Sequence, residues 1–510
     1  MKSDQRKAGV LLSYLSIGIN SVIQLAYTPV MLQLLGQSEY GLYALVVPIV
    51  GYLGLLTFGI GGAYLRFYSR EWAAGNKDGV ARLNGMFLLV FAAISVVVLL
   101  VGGWLAGNAS MVFGDKLSAR ESGRAAQLIG LIVVNMAISI PGGVFSSYIT
   151  AHEQYFFQRI VGLASSILNP FLTLPLMLMG FGSLALVLVS LALNVATLAL
   201  NVHFCFHRLH MRFLFRGFSW GLLKEIYIFS FFLFLNQVID QVNWSVDSFL
   251  LGRFWGTAEV AVYGLASRLN SIYLTFSTSV SSVFAPQINR IVAEGRETDQ
   301  KLSGLMLRVG RIQGLILLLL LSGMTLLGKP FLLWLGGSEA YLRSYPVMLL
   351  LIVPVTIPLI QNLGIEIQRA KNRHQFRSIV YLLMAGINVL LSIPLSSRFG
   401  AVGAAVGTTL SLLVGNGLVM NWYYHRRLGL DMTFFWKGMA RLGRGGILPA
   451  LYCVACGVWL DVFRPAAFLL SGIGLVAVYC VSMWRWGMDA YEKSIILRPL
   501  DKLRRLGGKR

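Results

Sequence analysis

The chain has 510 residues, of which 56% are apolar and only 13% are charged. A soluble domain of this size could not cover so much apolar surface, so the composition excludes a soluble globular protein and predicts a chain that crosses a membrane many times. The net charge of +22 does not indicate nucleic acid as a partner, because the basic residues lie in short loops between apolar segments and at the C-terminus, where they orient membrane helices.

Apolar segments separated by polar turns predict an all-α polytopic membrane protein with about fourteen transmembrane helices. They span residues 8–34, 41–64, 85–106, 125–150, 159–179, 182–206, 225–251, 258–284, 305–327, 346–369, 377–395, 400–424, 446–461 and 465–485. The first segment is too long for the core of a signal peptide, so we expect a retained helix. When the spans alternate, most of the 43 Lys and Arg residues fall on one side, which predicts cytoplasmic termini.

Three pairs of like residues recur about 220 positions apart. The pairs are Asn20 and Asn236, Tyr43 and Tyr263, and Gly182 and Gly400. This spacing favours two six-helix bundles related by pseudo-two-fold symmetry, with a cavity between them and two further helices at the C-terminus. The predicted domains are an N-terminal bundle (1–206), a cytoplasmic linker (207–224), a C-terminal bundle (225–424), a cytoplasmic loop (425–445), helices 13 and 14 (446–485) and a basic cytoplasmic tail (486–510).

A polar stripe runs along the seventh predicted helix. Asn236, Asp240, Asn243 and Asp247 follow one another at spacings of four, three and four, which places them on one helical face. Carboxylates in a membrane helix are costly and should face protein or water. Either the stripe is a buried seam between helices or it lines a transport cavity. The first helix has a matching stripe, which includes Asn20 and Gln24.

Arginines at three depths are further candidates for the cavity. Arg268 lies about ten positions into the eighth predicted helix, near the middle of the bilayer. It either forms a salt bridge with Asp240 or binds an anionic group of a substrate, since a guanidinium matches phosphate oxygens. Arg66 and Arg253, at helix ends, either add positive charge to the cavity mouths or extend to the membrane interface.

Asp240, Asp247 and Glu366 are candidates for coupling to H⁺ or Na⁺, because an ion-driven carrier needs a carboxylate that a cation can neutralise. The alternative for Glu366 is an ion pair with Arg369 or Arg373. The sequence has no phosphate-binding loop, nucleophile elbow or zinc-type spacing. We therefore expect no cofactor, no metal ion and no enzymatic activity.

Four segments together resemble a known family. They are LLGQSEYGLYAL at 34–45, LTFGIGGAYLRFYS at 56–69, VDSFLLGRFWGTAEVAVYGLASRL at 246–269 and IEIQRAKNRHQFRS at 365–378. They resemble the polysaccharide transporter (Wzx-type flippase) family of the multidrug/oligosaccharidyl-lipid/polysaccharide exporter superfamily. The likeness covers nearly the whole chain. One departure is Thr57, where the family commonly has an acidic residue, so a role for that carboxylate does not carry over.

The resemblance implies a flippase of the bacterial inner membrane that moves undecaprenyl-diphosphate-linked oligosaccharides to the outer leaflet. Its partners would be the lipid-linked oligosaccharide, membrane lipid, a coupling ion and other polysaccharide assembly proteins. One alternative is a cation-coupled multidrug exporter of the same superfamily, whose cavity should be acidic and aromatic. Another is a membrane enzyme of polysaccharide assembly, a polymerase or glycosyltransferase, although the chain lacks the large catalytic loop that such enzymes usually have.

Overall fold

The computed structural model describes residues 2–57, 60–113, 117–217, 220–281, 284–295, 298–371, 373, 375–494 and 497. This part of the chain is all-α and contains no strand. The helices are α1 (Lys2–Gly51), α2 (Ile60–Ala73), α3 (Lys77–Gly107), α4 (Ala109–Phe113), α5 (Ala119–Ala151), α6 (Tyr155–Leu176), α7 (Ser183–His207), α8 (Trp220–Trp255), α9 (Thr257–Ser281), α10 (Ala285–Glu294), α11 (Thr298–Gly336), α12 (Ser344–Ile360), α13 (Leu363–Ala370), α14 (Gln375–Leu412), α15 (Asn421–Arg426), α16 (Met432–Trp459) and α17 (Pro465–Ser482).

Ten helices in the described part are long and apolar enough to cross a membrane. One of them, over Gln375–Arg426, contains two of the predicted spans, and a kink at Gly400 separates these spans. A similar kink at Gly36 divides α1. Helices α8 and α9 are not among the ten. The multi-pass architecture is therefore confirmed, whereas the count of fourteen spans stays a prediction.

The chain forms two compact units. The first comprises residues 1–264 with the short segments 335–337 and 396–400, and the second comprises the rest. A core of aliphatic and aromatic side chains lies in the first unit, around Tyr64, Phe67 and Phe87. Two smaller apolar clusters in the second unit pack α16 and α17 against α11. Each unit thus has its own apolar packing.

Unusual backbone angles recur along the chain at the spacing that the sequence predicts. Of the twelve positive φ values in the described part of the chain, eight form four pairs: Gly36 (72°) and Gly256 (84°), Gly75 (68°) and Gly295 (70°), Gly182 (56°) and Gly400 (59°), and His210 (50°) and Gly429 (78°). The members of each pair lie 218–220 positions apart. Because L-residues with side chains rarely adopt such angles, four ordered pairs are strong support for a duplicated chain.

The Gly182 and Gly400 pair shows the likeness in most detail. Their φ/ψ angles are 56°/−134° and 59°/−138°, and a long helical segment follows each. A second recurrence is a hydrogen bond after the next helix: the Met211 amide donates to the Cys205 carbonyl at 3.0 Å. At the same spacing the Leu430 amide donates to the Tyr424 carbonyl at 2.9 Å. The pseudo-two-fold arrangement of two six-helix bundles stays a prediction.

Candidate functional site

The predicted polar stripe lies along α8. The backbone of α8 is helical throughout Trp220–Trp255, as the spacing predicts. The side chains of Asn236, Asp240 and Asn243 lie outside the described residues, and so do those of Asn20 and Gln24 on α1. Their places in a cavity, and a salt bridge between Asp240 and Arg268, therefore stay predictions.

Asp247, the last member of the stripe, is buried, with only 1% of its surface exposed. Its Oδ2 accepts a hydrogen bond of 2.6 Å from the hydroxyl of Tyr263, which lies on the next helix and is also buried. A buried carboxylate is costly unless hydrogen bonds replace its water. This contact joins α8 to α9 and allows an acidic side chain to remain inside the first unit.

Gln241 fixes a second polar position on α8. Its Nε2 donates to the carbonyl of Pro48 at 2.9 Å and to the hydroxyl of Ser245 at 2.8 Å. The carbonyl of Pro48 lies just before α1 ends and the chain tightens into a 3₁₀ segment over Tyr52–Thr57. The side-chain amide thus helps to satisfy the backbone where the helix geometry changes.

Arg268 lies on α9 and is half-buried. Beyond it, Ser271, Thr275 and Thr278 are exposed and follow at spacings of three, four and three. This spacing places all four side chains on one face of α9. The hydroxyls of Ser271 and Thr278 donate to carbonyls one turn earlier in the same helix, at 3.0 and 3.2 Å. We call these four residues the α9 polar face.

Arg268 was predicted from the sequence, whereas the other members of the α9 polar face were not. The signal was available, because Ser and Thr recur at helical spacing after the arginine. Ser and Thr are common in ordinary membrane helices, where they bond to their own backbone, and this makes the pattern easy to overlook. In a membrane an exposed polar face must contact water or protein and not lipid.

The remaining predicted site residues lie near helix ends. Arg66 is exposed on α2, with its guanidinium carbon 6.0 Å from the centre of the Phe67 ring, and Arg253 is exposed in the last turn of α8. Glu366 accepts a hydrogen bond of 2.9 Å from Arg369, three positions later. The ion pair proposed for Glu366 is thus present. A role of these residues in a cavity or in ion coupling stays a prediction.

The second unit contains a buried ion pair that the sequence analysis did not identify. Arg311 and Glu492 are each 3% exposed, and they form two hydrogen bonds of 2.6 and 2.8 Å. Arg311 also donates to the carbonyls of Gly438 and Gly487, both at 2.7 Å. These contacts hold α11, α16 and the segment after α17 together. The two residues lie 181 positions apart, so no local pattern reveals the pair.

A family described as "Polysaccharide biosynthesis protein" matches residues 30–346, more than half of the chain. This chain belongs to that family. The uncharacterised membrane protein EpsK of Bacillus subtilis is 23% identical to this chain, and the match covers 93% of this chain and 94% of EpsK. The putative O-antigen transporter of Shigella flexneri is 17% identical over 77% of this chain and 91% of that protein. The probable flippase AglR of Haloferax volcanii is 25% identical over 34% of this chain and 37% of AglR.

Solved structures show the same fold. The lipid II flippase MurJ, in an inward closed conformation, has a TM-score of 0.70 and 15% identity, with 96% of this chain and 99% of MurJ covered. A multidrug resistance MATE transporter of the MOP superfamily, in an inward-facing conformation, has a TM-score of 0.61 and 15% identity, with 81% and 95% covered. This chain therefore has the fold of the MOP transporters. The resemblance to the polysaccharide transporter family that the sequence shows is confirmed.

These comparisons also decide between the broad classes. AglR is named as a probable flippase, and the Shigella flexneri protein as a putative O-antigen transporter. The expectation that the chain is a membrane transporter for polysaccharide biosynthesis, and not a polymerase or glycosyltransferase, is confirmed. Among the described residues, no group of three or more His, Cys, Asp or Glu side chains could hold a metal ion.

Proposed function

We propose that this chain is a flippase that carries undecaprenyl-diphosphate-linked oligosaccharides from the cytoplasmic to the outer leaflet of the bacterial inner membrane by alternating access. The observation that carries the proposal is the α9 polar face in a member of a polysaccharide biosynthesis family. An amphiphilic cargo with an anionic diphosphate and a sugar chain needs a wet path through the bilayer, and this face supplies polar groups for it.

The chemistry of the α9 polar face suits such a cargo. The guanidinium of Arg268 carries a permanent charge and several N–H donors, which match the oxygens of a diphosphate. Ser271, Thr275 and Thr278 offer hydroxyls that exchange hydrogen bonds with sugar hydroxyls. The undecaprenyl chain stays in lipid, since moving its many methylene and methyl groups into water would be prohibitive. Only the head group and the sugars thus need to cross along the polar face.

The proposal includes the topology and the energy source. Both termini are cytoplasmic, in keeping with the excess of basic residues in the loops of that side. H⁺ or Na⁺ is the coupling ion, and Asp247 is the best-placed described carboxylate, because it is buried within a helix and accepts a hydrogen bond from a neutral phenol. Neutralisation of such a group by a cation changes the free energy of its burial, which is how ion binding biases a conformational equilibrium.

A cation-coupled multidrug exporter is the second candidate. The buried carboxylate of Asp247 favours it, because exporters that exchange cations for drugs need such a group. The α9 polar face argues against it, since a guanidinium repels cationic drugs. Drug susceptibility decides between the two: an exporter lowers the susceptibility of a sensitive host, and a flippase restores surface glycan without doing so.

The test is complementation of a strain that lacks its own flippase for a surface polysaccharide. The unchanged chain should restore the surface glycan, and Arg268→Glu should abolish it at the same level of membrane protein. The matched control is Arg464→Glu, at an exposed arginine that forms a local ion pair with Asp461, and this variant should export normally. If Arg268→Glu exports glycan normally at the wild-type protein level, Arg268 does not lie on the cargo path. If the unchanged chain fails to restore the surface glycan in several such strains, the flippase proposal is contradicted.

A further inference from the structure

A cluster of polar side chains surrounds Glu121 at the start of α5. One carboxylate oxygen, Oε1, accepts hydrogen bonds of 2.7 Å from both Ser38 and Thr257. The other oxygen, Oε2, accepts from the amide and hydroxyl of Ser118, both at 2.9 Å, and thereby closes a capping box. The capping box holds the carboxylate in place, and Oε1 is thus presented to two different helices.

The two donors come from different halves of the predicted repeat. Ser38 lies near the middle of α1, in the first half, whereas Thr257 is the first residue of α9, in the second half. A second hydrogen bond runs the same way: Nε2 of Gln37 donates to the carbonyl of Ala258 at 3.2 Å. On the predicted topology all these residues lie at the outer face of the membrane.

Small residues bring the backbones of α1 and α9 together beside this cluster. A methyl group added at Gly41 would overlap the carbonyl oxygen of Thr257, and one added at Gly264 would lie 3.2 Å from the methyl of Ala44. Thr257 is only 7% exposed and Ala261 is fully buried. The contact is therefore closed to water in this conformation.

Among the described residues, the second half of the predicted repeat does not reproduce this cluster at the corresponding positions. Ser118 caps α5 by accepting from the amide of Glu121, and Ser338, which lies 220 positions later, caps the 3₁₀ segment Glu339–Arg343 by accepting from the amide of Ala340. At the position that corresponds to Glu121, however, the second half has Tyr341, which is buried. Duplication of the fold thus accounts for the serine caps but not for the carboxylate that receives Thr257.

We propose that Glu121 is the latch of an outer gate, in which the hydrogen bond from Thr257 holds α9 against α1 while the cargo path is closed to the outside. This inference rests on the proposed alternating-access function. When the path opens outward, α9 separates from α1, and the Thr257 and Gln37 bonds break. Ser38 and Ser118 stay with Glu121, because all three belong to the first half. The latch is therefore a single bond from a neutral hydroxyl to a carboxylate, which is strong enough to favour closure and weak enough to release.

The experiment measures how often the contact opens. Ala261→Cys is the reporter, in a chain whose four native cysteines are replaced by alanine, and the probe is a membrane-impermeant maleimide added to intact cells. Ala44→Cys is the second reporter, in case the first does not fold. The latch variant is Thr257→Val. Thr257→Ser keeps the hydroxyl, and Ser38→Ala removes an equally short bond to the same oxygen within one half.

We expect Thr257→Val to be labelled about tenfold faster than the parent, because the loss of one hydrogen bond to a charged group shifts an equilibrium by roughly that factor. Thr257→Ser and Ser38→Ala should be labelled at the parent rate. Equal rates for Thr257→Val and Thr257→Ser would overturn the latch, as would labelling of the reporter only in inverted vesicles. Labelling needs no cargo, so a negative labelling result does not contradict the flippase proposal. Failed complementation by the unchanged chain contradicts the flippase proposal, and the labelling rates can still be measured in that case.

Discussion

Asp247 and Tyr263 meet across the short turn between α8 and α9, with 2.6 Å between the carboxylate Oδ2 and the phenol oxygen. Both side chains are nearly excluded from solvent. A buried carboxylate depends on the hydrogen bonds that it accepts, because solvent cannot replace a donor that is lost. The pair therefore makes a direct prediction about stability.

Tyr263→Phe should destabilise the folded protein by about 1–3 kcal/mol, the cost of removing one hydrogen bond from a buried acceptor. Asp247→Asn should cost less, because its amide oxygen still accepts from Tyr263 and no charge is buried. Thermal unfolding of the two purified variants in detergent measures the difference. A Tyr263→Phe variant as stable as the parent would show that the phenol is not an important partner of Asp247.

The α9 polar face predicts a transport defect without a folding defect. Ser271→Leu/Thr278→Leu should reduce surface glycan several-fold, since two exposed hydroxyls on the face of Arg268 are replaced by apolar groups. The control is Ser166→Leu, at a half-buried serine of α6 whose hydroxyl also donates to a carbonyl one turn back, that of Gly162. Immunoblots of surface glycan and of membrane protein give the two readouts. Equal export by the double variant and the control would exclude these hydroxyls from the cargo path.

Glu492→Gln should lower the melting temperature strongly. Removal of the charge leaves the Arg311 guanidinium buried without its main partner, which costs about 3–5 kcal/mol. Asp489, half-exposed at 3.6 Å from the Arg311 Nε, compensates only in part. As a control, Glu366→Gln breaks an ion pair whose arginine is largely exposed, and it should change stability by about 0–1 kcal/mol. Similar melting temperatures for these two glutamine variants would contradict the assigned importance of the buried pair.

His152 should make stability dependent on pH. It follows the last residue of α5, and burial lowers the pKa of its imidazole below the ordinary value of 6.5. The unfolded chain therefore binds a proton at higher pH than the folded chain, so the contribution to stability is complete above about pH 6.5 and is lost as the pH falls below it. The drop in melting temperature between about pH 7.5 and 5.5 should be smaller in His152→Gln. An equal drop in both proteins would assign the pH dependence to other groups.

The sequence predicts those features that depend on local spacing. The helical period identifies the α8 stripe and places Asp247 on it, and the pairing of Gly182 with Gly400 is matched by nearly equal backbone angles. The positive φ of Gly36 recurs at Gly256, four positions after a Leu-Leu-Gly motif at 250–252 that repeats the one at 34–36. The sequence motif alone therefore does not identify the residue that adopts the positive φ.

Features that join distant segments could not be predicted. The Glu121 cluster combines three helices, and its donors Ser38 and Thr257 are 83 and 136 positions away from the carboxylate. No periodicity relates residues at such distances, because they are brought together only by helix packing. Arg311 and Glu492 are missed for the same reason. The α9 polar face, by contrast, was within reach of the sequence, since its four members lie on one helix.

The Arg311–Glu492 pair has a consequence for how the protein is made. Arg311 enters the membrane early, yet its partner is synthesised 181 residues later, which takes about 10–40 s at ordinary ribosome speeds. During that interval the arginine has to be tolerated by the insertion machinery or shielded by lipid head groups. The segment after α17 thus completes the surroundings of a helix that was synthesised well before it, and a chain that stops ahead of Glu492 would leave the Arg311 guanidinium without this partner.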